Sequence, residues 1–140
     1  MREVRKERTG WRDVTLSERH RLWGWDSPAV DLDFLFLEYD KGKAVALVEY
    51  KHEMAAPQTS AHPTYQAMAD LANRAEIPLF ACRYKGDFSE FKATPLTSIA
   101  RQYMASPTPL TEAGWVSFLY KIRGRTVPES VISGLIATEI

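Results

Sequence analysis

The sequence predicts an α/β domain, and three observations predict it. The first is a hairpin, in which apolar strands over about 30–39 and 44–51 flank the turn Asp40-Lys41-Gly42-Lys43. The second is an amphipathic helix over about 64–74, whose Tyr65, Met68, Ala69, Leu71 and Ala72 recur at helical spacing. The third is a short apolar run, Leu79-Phe80-Ala81-Cys82-Arg83-Tyr84, of strand length. A strand, a helix and a strand in that order form a crossover, so the third strand is expected to lie parallel to the second. A length of 140 residues suits one domain with one sizeable core.

The remaining elements follow along the chain. Residues 1–14 are polar and read as a frayed helix or an arm. Thr15-Leu16-Ser17-Glu18 fits a capping box, with Thr15 as N-cap, opening a short helix that runs through Trp23 and stops near Gly24. Ser27-Pro28 signals a turn. Beyond its acidic head the first strand is apolar on both faces, which predicts a central strand, and the second behaves likewise. Residues 52–61 read as a loop and Gly86-Asp87 as a turn, with a short edge strand over 88–93. The last third reads as helices over 95–104, 111–123 and 128–138. Thr111 is the expected N-cap of the second, with Trp115, Phe118, Leu119 and Ile122 as its core stripe, and Pro128 sits in the first turn of the third. Ser106-Pro107-Thr108-Pro109 reads as a linker.

Composition narrows the function classes. The chain carries 18 basic and 18 acidic side chains, so a wholesale polyanion sponge is excluded while local patches remain open. One such patch is N-terminal (Arg2, Arg5, Lys6, Arg8, Arg12, Arg19, Arg21), and a smaller one is Lys121, Arg123 and Arg125. Solvated faces explain both patches about as well as nucleic-acid contacts do. Cys82 is the single cysteine and sits in an apolar run, which makes it a core residue and leaves no disulfide framework. With no apolar signal core and no run of about 20 apolar residues, a cytoplasmic protein without a membrane partner is expected.

Chemistry concentrates at one end of the hairpin. Glu49 and Lys51 are two apart on the second strand and share a face, as do Asp31 and Asp33 at the head of the first. A hairpin sets the head of one strand beside the tail of the other, so two or three carboxylates and an ammonium converge. Grouped carboxylates are costly unless they bind something, and a divalent cation is the natural guest. A surface ion pair is the plain alternative, worth about 0–1 kcal/mol. Glu38 has the opposite parity to Asp33 and is excluded.

An acid, fifteen intervening residues and then Glu49-Tyr50-Lys51 closing an apolar strand resembles the PD-(D/E)XK nuclease superfamily, which includes restriction endonucleases and Holliday-junction resolvases. The likeness covers about residues 15–84. It implies a restriction-endonuclease-like core (helix, small mixed sheet, crossover helix, strand), here with a helical C-terminal extension. It further implies that Asp33, Glu49 and the backbone carbonyl of Tyr50 hold Mg²⁺ or Mn²⁺. Lys51 would then orient the attacking water and steady the transition state. Supporting residues on the same basis are Glu18, which the capping box also explains, His20, Asp31, Tyr65 and Gln66. His52 follows Lys51 and points to the other face, so it is set aside. Trp11, Trp23 and Trp25 suit packing better than base stacking. Two departures stand out: no strand is evident before Asp31, and the acid motif is Asp-Leu-Asp rather than Pro-Asp.

The expected activity is therefore metal-dependent hydrolysis of nucleic acid, DNA being favoured over RNA, by an endonuclease of a small phage or bacterial type. A homodimer is expected if both strands are cut. The alternatives are a catalytically silent nucleic-acid-binding module on the same fold, which the zero net charge favours slightly, and a protein-assembly domain built on the C-terminal helices.

Overall fold

The computed structural model describes residues 14–24, 28–30, 32–57 and 59–138. Its contacts divide the chain into two units, residues 1–31 and 32–140. Most of the expected N-terminal arm and its basic patch, together with Trp11, Trp25 and Asp31, lies outside the described residues.

In the first unit, α1 spans Val14–Leu22. The helix is already under way at Thr15, so Thr15 is not its N-cap and Glu18 is not the third position of a capping box. Arg19, His20 and Arg21 fill the last turn, where cations complement the helix dipole.

In the second unit, β1 (Phe34–Glu38) and β2 (Lys43–His52) form the expected hairpin. A 3-10 turn over Tyr39–Lys41 joins them and closes at Gly42, whose φ of 56° is the left-handed conformation glycine adopts without steric cost. Then come α2 (Pro63–Ala75), β3 (Leu79–Tyr84), β4 (Phe91–Pro95), α3 (Ser98–Tyr103), β5 (Thr108–Leu110), α4 (Glu112–Ile122) and α5 (Glu129–Thr138). The strands make one mixed sheet in the order β1-β2-β3-β4-β5. β2 and β3 are parallel, as the crossover requires, and the other pairs are antiparallel.

Three expectations need correction. β1 is an edge strand, not a central one: Phe34, Leu35 and Leu37 are exposed, and their unbroken apolar run imitates a strand buried on both faces. β4 is interior, because Thr108 and Pro109 of the expected linker, together with Leu110, pair with it as β5. Pro109 lacks an N–H and is tolerated there because β5 is the edge. The helix expected over 95–104 begins only at Ser98. Pro95 completes β4, the Leu96 N–H bonds to the Leu79 carbonyl, and Thr97 caps the helix.

The sheet is covered on both faces, and strand alternation sorts the residues. On one face Leu47 and Leu79 pack with Tyr65, Met68 and Ala72 of α2 and with Ile77. On the other, Ala46, Val48, Phe80, Cys82, Phe91 and Ala93 pack under Ala100, Met104, Trp115 and Ile122. Cys82 is fully buried, and burial pushes its thiol pKa up to about 12. α2 starts at His62, whose Nδ1 accepts the Thr64 N–H, followed by Pro63 at the first helical position. Among the described residues, no helix is long and apolar enough to cross a membrane.

Thr97 ties the layers together. Its buried hydroxyl oxygen accepts the N–H of Ala100 at 3.2 Å, capping α3, and the N–H of Leu79 at 3.4 Å, anchoring β3. Thr97→Ala leaves two buried donors without an acceptor and should cost about 1–2 kcal/mol. A lower urea midpoint at unchanged slope is the expected readout.

Candidate active site

The hairpin register builds the site. Phe34 lies opposite Val48 and Leu35 opposite Leu47, so one further step sets Asp33 opposite Glu49. The Tyr50 N–H donates to Asp33 Oδ2 at 3.0 Å, which draws the acid to the tail of β2. In an antiparallel strand a residue's N–H and C=O leave on the same side, so the Tyr50 carbonyl also points past the head of β1. Leu47 belongs to the face packed by α2, and alternation puts Glu49 and Lys51 on that same face. Lys51 Nζ stands 3.7 Å from Glu49 Oε1.

Electrostatics show that these groups share one environment. The Glu49 carboxyl is pushed above its ordinary value, first by burial and then by the Asp33 charge, while Lys51 pulls it back. The Tyr65 hydroxyl, buried at the start of α2, is raised by burial and then by the charges of Glu49 and Asp33. Glu49 Oε2 is buried and has no hydrogen-bond partner among the described residues. One ammonium at 3.7 Å therefore does not satisfy this carboxylate. An orphaned carboxylate oxygen beside a second carboxylate fits a hard divalent cation, and waters commonly complete such a shell. No group of three His, Cys, Asp or Glu gathers among the described residues; the oxygens gathered at this sheet end are the Asp33 and Glu49 carboxylates and the Tyr50 carbonyl.

This environment has a consequence for stability. A folded pKa above the unfolded one means that folding takes up a proton between those two values. Glu49 thus favours the folded state below its unfolded pKa, and that contribution is lost as pH rises through the folded pKa. Glu49→Gln is expected to raise the Tm at neutral pH in the absence of divalent ions, with the difference shrinking on acidification. A lower Tm at neutral pH would mean that the Lys51 pairing outweighs burial.

The structure thus brings together Asp33, Glu49, Lys51, the Tyr50 backbone and Tyr65. Gln66 is exposed on α2, and its N–H bonds to the His62 carbonyl. Glu18 and His20 belong to α1 in the other unit, where the His20 ring lies 4.4 Å from that of Trp23. Asp31 lies outside the described residues. His52 turns away from the site, as expected, with its ring edge-on to Tyr84.

Two of the three cations of the small C-terminal basic patch are engaged by an acid of the sheet. Arg125 makes a bidentate contact to buried Glu38 at 2.7 and 2.6 Å, and Arg123 approaches the same carboxylate at 3.4 Å. The hydrogen bonds from Arg125, foremost, hold the Glu38 carboxyl below its ordinary range. Glu38 is thus committed to the arginines that follow α4, consistent with its exclusion from the site.

Sequence reasoning missed Arg83. It is paired in register with Lys51 across the parallel strands, so it emerges beside it on the same face. Its Nη2 donates to the carbonyls of Glu53 at 2.7 Å and Ala55 at 2.6 Å, clamping the chain that leaves β2. Nothing local marks it, because the neighbour relation arises only from strand pairing.

No protein-family model, curated protein or solved structure matches the chain. Its chemistry must then be read from the site itself.

Proposed function

We propose that the chain is a metal-dependent phosphodiester hydrolase acting on nucleic acid, a DNA endonuclease of PD-(D/E)XK type. The observation that carries this reading is the convergence of Asp33, Glu49 and Lys51 at one sheet end, with Glu49 Oε2 buried and lacking a partner among the described residues. The order of hairpin, crossover helix and parallel strand supports the restriction-endonuclease-like core that the motif implies.

Asp33, Glu49 and the Tyr50 carbonyl would hold Mg²⁺ or Mn²⁺. Such an ion, when bound, supplies Lewis acidity and lowers the pKa of water. The protein's own residues do the rest. The Asp33 carboxylate is fixed by the Tyr50 N–H and so is pre-aimed rather than free to swing. Lys51, held beside Glu49, presents donors and positive charge to a phosphate whose charge grows in the transition state. Burial and the neighbouring carboxylates push the Tyr65 hydroxyl further above its ordinary range, so it stays protonated at neutral pH and can donate to a phosphate oxygen. One site cuts one strand, so severing a duplex calls for two copies of the chain.

The zero net charge favours a second reading, a catalytically silent nucleic-acid-binding module. Cleavage of plasmid, linear, branched and single-stranded substrates with Mg²⁺ or Mn²⁺ separates the two. Metal-dependent cutting that disappears in Asp33→Ala/Glu49→Ala supports the hydrolase. Binding without cutting, unaltered in that double variant, supports the silent module.

A further inference from the structure

The register extends the candidate site across the sheet. Lys51 on β2 is paired with Arg83 on β3, and Arg83 is paired with Lys92 on β4. Directly opposite residues share a face, so three cations stand in one row perpendicular to the strands. That face is the α2 face, because Ala81, two residues before Arg83, packs against the α2 cluster. Phe91 and Ala93, flanking Lys92, are buried in the opposite cluster, as alternation demands. The row lies one same-face step beyond the line that joins Asp33, Glu49, Ala81 and Thr94.

Like charges directly opposite each other on a sheet repel and destabilise it. The surroundings offset only part of this. Glu49 pairs with Lys51 at 3.7 Å, and two loop carbonyls hold one nitrogen of Arg83. The Glu53 carboxylate is committed to the Gly86 N–H at 2.7 Å. Lys92 is exposed and makes no ion pair among the described residues. The row ends at β5, where Pro109 faces Lys92. Strands are about 4.8 Å apart, so it spans about 10 Å. That length is enough to engage more than one phosphate of a single strand.

We propose that Lys51, Arg83 and Lys92 form the track on which a single nucleic-acid strand is laid, its phosphates crossing β4 and β3 to reach Asp33 and Glu49. This rests on the phosphodiesterase reading and adds to it the direction of approach. Lys51 serves the scissile phosphate. Arg83, its guanidinium oriented by the 53 and 55 carbonyls, takes the next one, and Lys92 takes the one beyond.

The test is binding of the intact chain to a fluorescent single-stranded oligonucleotide in EDTA, over a salt series, so that nothing is cut. Lys92→Gln should weaken binding several-fold and lower the slope of log K against log salt by about 0.7. Lys43→Gln, which removes the same charge at the opposite end of β2, should alter neither. An unchanged slope in Lys92→Gln overturns the track, as does an equal loss in Lys43→Gln or an absence of binding by the wild-type chain. Metal-dependent cutting by the wild type with an unchanged slope in Lys92→Gln would leave the hydrolase standing without the track. Binding with the expected slopes but no cutting would do the reverse.

Discussion

Under the proposed hydrolase function, Lys51→Ala is expected to slow metal-dependent cleavage by about 10²–10³ while the fold and metal uptake persist. The side chain is only partly buried and packs no core, so its loss leaves no large cavity. Its ammonium stands 3.7 Å from Glu49 Oε1 and is itself no metal donor, so removing it takes positive charge from the phosphate and leaves the carboxylate oxygens in place. Metal affinity should hold or rise slightly, since Glu49 and Asp33 lose a competing cation. Lys51→Arg should restore little, because a planar fork cannot reproduce a compact point charge. Single-turnover cleavage beside a Mn²⁺ titration checks both halves. Equal losses in cleavage and in metal binding would make Lys51 a structural support instead.

Trp115→Ala is expected to destabilise the fold by about 3–5 kcal/mol, more than Thr97→Ala. Trp115 is buried under the sheet, stacks with Phe118 at 5.9 Å between ring centroids, and donates from Nε1 to Tyr50 Oη at 2.9 Å. Truncation would open a cavity and strip that hydroxyl of its donor. Tyr50 sits between Glu49 and Lys51, so Trp115 also braces the site-bearing strand from the opposite face. Trp115→Phe, which keeps most of the volume, should cost less while still losing the hydrogen bond. Urea unfolding of both variants measures the difference. A loss under about 1 kcal/mol in Trp115→Ala would show that the layer around Tyr50 collapses to fill the space.

Both variants depend on β2, where sequence and structure agree best. β2, α2, β3 and α4 fall within a residue or two of their expected bounds, because each carries its own periodicity or a cap such as Thr111. β1 reads as central from sequence because an apolar run looks the same whether it is covered on both faces or left at an edge. β5 is illegible there because three residues containing a proline carry no strand signal. The C-terminal basic patch misleads because charge counts do not show partners, and Glu38 lies far from Arg125 in the chain.

By itself, the order of residues determined the hairpin, the crossover and the meeting of the head of β1 with the tail of β2, since one tight turn fixes which strand ends adjoin. Counting back from the turn pair Glu38 and Lys43 would set Asp33 opposite Val48, and the register shift between Phe36 and Leu37 moves it opposite Glu49. Only the tertiary structure decided which strands form the edges, that Arg123 and Arg125 are spent on Glu38, and that Lys51, Arg83 and Lys92 stand in line. Those relations depend on register between strands distant in sequence, which the packing of both sheet faces selects and no short segment encodes.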